Sequence, residues 1–134
     1  MEQVIKLLEE SPAVYVGTAD ENGHPHVRPF ALTFYKNGKL YFSTSSKTSA
    51  YRDLKNNPFI EISVMSKEYV WVRIFAKIIF TQDMKIKESA IAEKEMLKNF
   101  FGSADNPEFN MFFLTEGTAT IYDYSGNPPK TITF

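Results

Sequence analysis

Apolar and polar positions along the chain change period several times, and each change marks an element. Val4, Ile5, Leu7 and Leu8 recur at helical spacing, and Pro12 closes that segment. "AVYVGTA" then reads as a short buried strand, and "DENGHP" as a turn cluster. "HVRPFALTFY" alternates as one strand, with His26, Arg28, Phe30, Leu32 and Phe34 on one face. Val27, Pro29, Ala31 and Thr33 take the other face. Asn37-Gly38 is a hairpin signal into "KLYFST". A hydroxyl-rich loop and a short helix, "SAYRDLKNN", follow, and Pro58 stops that helix. "FIEISVM" alternates as a strand. In "YVWVRIFAKIIF", Val70, Val72, Ile74, Ala76, Ile78 and Phe80 share one face of a long strand. The pattern of "KIKESAIAEKEMLKNFF" predicts one helix, whose charge run from Lys85 to Lys98 is its solvated face, with Ile86, Ala90, Ile91, Met96 and Leu97 partly buried. "NMFFLTEGTATIYDYS" returns to strand, its Met111 to Leu114 run serving core or interface, and "KTITF" is a last short strand.

About six or seven strands with mostly hairpin connections and three helices predict an α+β, mostly β chain. The expected architecture is an antiparallel barrel or strongly curled sheet with peripheral helices.

The length of 134 residues suits a single domain, 1–134. A net charge of −1 lacks the basic face that a general grip on nucleic acid needs. With no cysteine, disulfides, thiolate nucleophiles and zinc–thiolate sites are excluded. The opening "MEQVIKLLEESP" carries acids and no long apolar run, so neither a signal peptide nor a membrane span is expected, and the expected location is the cytoplasm. The glycine-rich nucleotide fingerprints, a serine nucleophile elbow and a paired-carboxylate site do not occur. His24 and His26 alternate across Pro25 without an evident third ligand, so no metal site is expected.

Candidate chemistry concentrates in "FSTSSKTSAY". Six hydroxyls and one lysine occupy the seven residues from Ser43 to Ser49. A helix start offers free N–H groups and a partial positive charge, which suit a phosphate. Thr44, Ser45, Lys47, Thr48 and Ser49 could add hydroxyls and an ammonium to them. Equally, Thr48 or Ser49 is a plain helix cap and the rest is solvated loop. Arg28, on a neighbouring strand beside Pro29, and the Trp71–Arg73 pair on the second face of the long strand add cations and flat surface. Taken alone, each is also explained as an amphipathic strand with a solvated arginine.

The order of "GHPHVRPFAL", "GKLYFSTSSKTSAYRDLKNNPFIEIS" and "EYVWVRIFAKIIF", closed by "GTATIYDYSGNPPKTITF", resembles the pyridoxamine 5'-phosphate oxidase-like family of FMN-binding split β-barrels. That resemblance implies a homodimer with FMN at the subunit interface. By the same similarity Arg28, Pro29 and Phe30 lie along the flavin edge and ribityl chain. Ser43 and Thr44, with Phe42 beside them, end the strand beneath it. Lys47 and Thr48 hold the 5'-phosphate, Ser49 starts the helix, and Trp71 and Arg73 approach from the partner subunit. His26, on the Arg28 face, could line the substrate side. The chain stops at Phe134, without a counterpart of the segment that serves pyridoxal phosphate chemistry in the authentic oxidase. The expectation is therefore a flavin-dependent oxidoreductase on another small molecule, with unknown catalytic residues. The alternatives are a non-catalytic flavin-binding electron carrier or sensor and, by family analogy alone, a heme or deazaflavin binder. A barrel that stacks single-stranded nucleic acid on aromatic rings is a further reading that the charge disfavours.

Overall fold

The computed structural model describes all 134 residues. Helix α1 (Glu2–Glu10) precedes strands β1 (Val14–Ala19), β2 (Pro25–Phe30), β3 (Leu32–Lys36) and β4 (Lys39–Ser45). Helix α2 (Ser49–Asn56) leads into β5 (Phe59–Met65) and β6 (Trp71–Thr81). Helices α3 (Met84–Glu93) and α4 (Glu95–Phe101) are followed by β7 (Phe109–Tyr122) and β8 (Lys130–Thr133).

All eight strands form one antiparallel sheet in the order β2-β1-β5-β6-β7-β4-β3, with β8 added on β7. The two strands at the ends of this path, β2 and β3, are neighbours in sequence, separated by Ala31 alone. The chain therefore steps from one edge of the curled sheet to the other at a single residue. This seam is the split of a split barrel.

The long strand β6 is set by its alternation. Val72, Ile74, Ala76 and Ile78 face the core, while Arg73, Phe75 and Ile79 face outward. Asn37 and Gly38 both take positive φ, 52° and 75°, the two-residue loop that a right-twisted hairpin prefers. Strand β7 bends at Glu116, whose φ is 48°, where its register against β6 slips by one residue. The bend lets one strand pair with β4 before it and with β8 after it. Val4, Leu7 and Leu8 of α1 join the main core, and Ala50 and Leu54 anchor α2 against the sheet. A second, smaller cluster lies outside the sheet, where Ile86 and Ala90 of α3 cover Phe34, Tyr41 and Met111.

The curled antiparallel sheet expected from the sequence is present, with seven strands on its main path and β8 as an eighth. Three expectations change. "HVRPFALTFY" is two strands, because the chain steps between sheet edges at Ala31; an irregularity in the β3–β4 register between Leu32 and Phe34 then leaves Thr33 and Phe34 both buried. The single helix expected over "KIKESAIAEKEMLKNFF" breaks at Lys94, which is extended at φ −118° and ψ 100°. Met96, expected to be partly buried, is 76% exposed on the resulting α4.

Candidate functional site

A cavity of about 520 Å³ opens at the seam. The β2–β3 step supplies one side, from Arg28 through Thr33. The end of β4 supplies Ser43, Thr44 and Ser45, and the start of α2 supplies Thr48 and Ala50. Across from these, α4 contributes an apolar wall of Met96, Leu97, Phe100 and Phe101. Phe100 is 72% exposed, so with Met96 two large apolar side chains stand uncovered on this wall. One end of the cavity is thus rich in donors and the other is apolar. That combination suits a ligand with a flat ring and a polar or anionic tail.

The donor end is built by α2. Thr48 caps the helix: its hydroxyl accepts from the Tyr51 N–H at 3.2 Å and donates to the Ser45 carbonyl at 2.8 Å. The cap expected from the sequence is therefore present, and the capping residue itself lines the cavity. Thr44 and Thr48 place their hydroxyls 3.3 Å apart, and Ser43 meets Thr33 at 2.8 Å. Pro29 and Phe30 line the seam, and Phe30 also packs edge-on against Phe112.

Arg28 reaches across the seam to the same helix end. Its guanidinium donates to Thr18 Oγ1 at 2.7 Å, Ser49 Oγ at 3.1 Å and Asp53 Oδ2 at 3.3 Å. Thr18 in turn donates to Asp53 Oδ2 at 2.9 Å. Asp53 is only 7% exposed, yet it sits in a helix segment with nothing local to mark it as buried. On the far side of Arg28 lies a wholly polar hollow of about 300 Å³, which adds Arg52, Asn56, His26 and Asp20. There the hydrogen bond from His26, at 2.8 Å, is the main cause that lowers the Asp20 pKa to about 2.

Other sequence candidates lie elsewhere. Phe42 is fully buried, stacks on Phe112 and does not line the cavity. Lys47 does not line the cavity; its ammonium pairs with Glu108 at 3.0 Å. Trp71 stacks on Tyr122 with ring centroids 4.2 Å apart, and Arg73 pairs with Glu61. That hydrogen bond, followed by the Glu61 charge, raises the Arg73 pKa above its ordinary value. Both residues face outward, away from the cavity of their own chain. They share this face with Tyr15, Phe59 and Phe75, all exposed, and Phe59 and Phe75 stack at 5.9 Å.

Thr18, Asp53 and the α4 wall are the parts that sequence reasoning missed. Thr18 and Asp53 read locally as a strand residue and a helix surface residue. The α4 wall depends on the break at Lys94, where no proline or glycine signals it.

The profile of a family described as pyridoxamine 5'-phosphate oxidase matches residues 1–123. A pyridoxine/pyridoxamine 5'-phosphate oxidase of Bacteroides thetaiotaomicron is 34% identical over 64 residues, 48% of this chain. The match spans 28% of that relative's length. Among solved structures, a NimC/NimA family protein from Clostridium acetobutylicum is 30% identical, with a TM-score of 0.90 over 100% of this chain and 92% of that one. A protein from the same organism, related to general stress protein 26 and of the pyridoxinephosphate oxidase family, is 24% identical, with a TM-score of 0.75 over 99% and 92%. More distant structures share the fold alone. They include an F420 reductase, 19% identical with a TM-score of 0.62 over 81% and 89%, and a heme binding protein from Mycobacterium smegmatis, 15% identical with a TM-score of 0.72 over 96% and 56%.

Proposed function

Because this chain belongs to the pyridoxamine 5'-phosphate oxidase family, we propose that it is an FMN-binding oxidoreductase acting on a small molecule. The observation that carries the reading is the seam cavity, with a capped helix start and Arg28 at one end and an apolar wall at the other.

The donor set fits the proposed cofactor. The free N–H groups of the first turn of α2 and the Arg28 guanidinium suit a phosphate. Ser43, Thr44 and the Pro29–Phe30 backbone offer polar contacts for a ribityl chain, and Phe30 and the α4 wall suit the face of a ring. When bound, FMN supplies hydride and electron transfer. The chain's own part is to fix the phosphate, orient the ring, and exclude water with α4. Lys47 takes part in phosphate binding only by leaving Glu108, a surface pair that holds it weakly.

A second copy of the chain is part of the proposal. Trp71 and Arg73 lie on an outer face with Tyr15, Phe59 and Phe75, so they serve a flavin only in a neighbouring protomer. No helix is long and apolar enough to cross a membrane.

The test is the visible spectrum of the purified protein after FMN addition, with gel filtration of the same sample. A flavin-shifted spectrum in a dimer peak is expected. Protein that takes up no flavin at micromolar FMN refutes the reading, and parallel titrations with heme and a deazaflavin show whether either takes FMN's place. Consumption of NAD(P)H with a panel of acceptors then separates an enzyme from a binding module.

A further inference from the structure

We infer that Thr18 and Asp53 are positioning residues: they hold the Arg28 guanidinium at the N-terminus of α2 and so set how tightly the site grips a phosphate-bearing ligand. The identity of that ligand rests on the flavin reading above. The device itself rests on geometry within one chain.

An arginine side chain on a strand edge is free to sweep, and gripping an anion then costs much of its rotamer freedom. Here that cost is met before any ligand arrives. Thr18 has one proton, and it goes to Asp53 at 2.9 Å. The Thr18 oxygen is left to accept from Arg28 at 2.7 Å, so both partners dictate its orientation. Asp53 takes a second contact from the same guanidinium at 3.3 Å. A third contact, to Ser49 at 3.1 Å, lays the guanidinium against the first turn of α2. These bonds engage three of the five N–H donors of an arginine and leave others for a ligand.

Packing does not require this arrangement. Ala50 and Leu54 already bury the inner side of α2. A carboxylate that is 7% exposed is costly unless paired, and an apolar residue would dock the helix without that cost. The charge of Asp53 also opposes an anion. Holding Arg28 and weakening its field therefore pull in opposite directions, and experiment can tell which governs.

The probes are FMN and riboflavin, which differ by the phosphate, read by flavin fluorescence on purified Thr18→Val, Thr18→Ser and Asp53→Asn proteins. Losing a hydrogen bond to a charged group predicts about tenfold weaker FMN binding by Thr18→Val. Riboflavin affinity is unchanged in that variant, and Thr18→Ser restores FMN binding. Asp53→Asn also weakens FMN binding. A Thr18→Val protein that binds FMN like the wild type overturns the inference. So does an Asp53→Asn protein that binds FMN more tightly, because Asp53 would then act only as an opposing charge. If Thr18→Val does not fold, Asp53→Asn decides alone. A wild type that binds neither flavin removes the flavin reading only. In that case stabilisation by inorganic phosphate, followed as a thermal shift, decides: loss of the shift in the variants supports the device, and no shift in the wild type overturns it.

Discussion

Thr48 caps α2 and lines the end of the cavity proposed for a phosphate, and one pair of substitutions can separate the two. Its hydroxyl spends its proton on the Ser45 carbonyl and accepts from the Tyr51 N–H. Little is left for a ligand, which must be held by the backbone that the cap organises. Thr48→Ala removes the cap at a cost of about 1 kcal/mol. With a urea dependence of about 2 kcal/mol per molar, the midpoint falls by roughly 0.5 M. Thr48→Asp keeps a capping oxygen and adds a charge that the positive end of the helix favours, so the midpoint stays near the wild type. That same carboxylate stands beside the proposed phosphate. Two unit charges about 5 Å apart at an effective dielectric of about 20 repel by roughly 3 kcal/mol. That is on the order of a hundredfold in Kd. Urea titration followed by far-ultraviolet circular dichroism reads the first quantity, and flavin fluorescence reads the second. An Asp variant that binds FMN as tightly as the wild type removes the phosphate from this helix end. An Ala variant with an unmoved midpoint removes the cap from the stability of α2.

Three further outcomes follow from the same structure. A Cβ at Gly117 would stand 2.7 Å from Cε2 of the Phe134 ring, so Gly117→Ala costs about 1–3 kcal/mol in urea unfolding; in a Phe134→Ala background it is neutral, and an equal cost there refutes the clash. Trp71→Ala, which removes a stacked pair with Tyr122, weakens both dimer and FMN retention by about threefold to tenfold, and a normal FMN-loaded dimer on gel filtration counts against the outer face as the interface. The Asp20 pKa is lowered from 3.8 to about 2 in the folded state, so its contribution to stability is complete above pH 3.8 and lost as pH falls through about 2. Asp20→Asn should flatten the fall in urea midpoint across that window, and an unchanged slope refutes the His26–Asp20 bond as its source.

Much of the barrel is legible because its signals are local. The alternation of β6 gives both the strand and its buried face, and Asn37-Gly38 gives the β3–β4 hairpin. The hydroxyl loop is recognisable because a cap and an anion cradle use the same residue types. What escapes local reading is set by distant partners. Asp53 is buried because Thr18 and Arg28, 35 and 25 positions away, converge on it. Lys47 turns aside because Glu108, just before the neighbouring strand β7, meets its ammonium. The seam at Ala31 is invisible because Phe30, Leu32 and Phe34 keep a strand spacing straight through it in the sequence; only the closing of the sheet separates β2 from β3. Lys94 breaks its helix in a run of good helix formers, and the apolar wall of the site depends on that break.

The seam also bears on self-association of the misfolding kind. Exposed strand edges invite pairing with foreign chains. Here both ends of the strand path run into Ala31. The β2 edge is blunted by Pro25 and Pro29, which have no N–H to donate. The β3 edge begins where the cavity lies and runs on under α1. A ligand lodged there would shield the starts of both edges at once. The seam that holds the cavity is thus also where both open edges of the sheet meet.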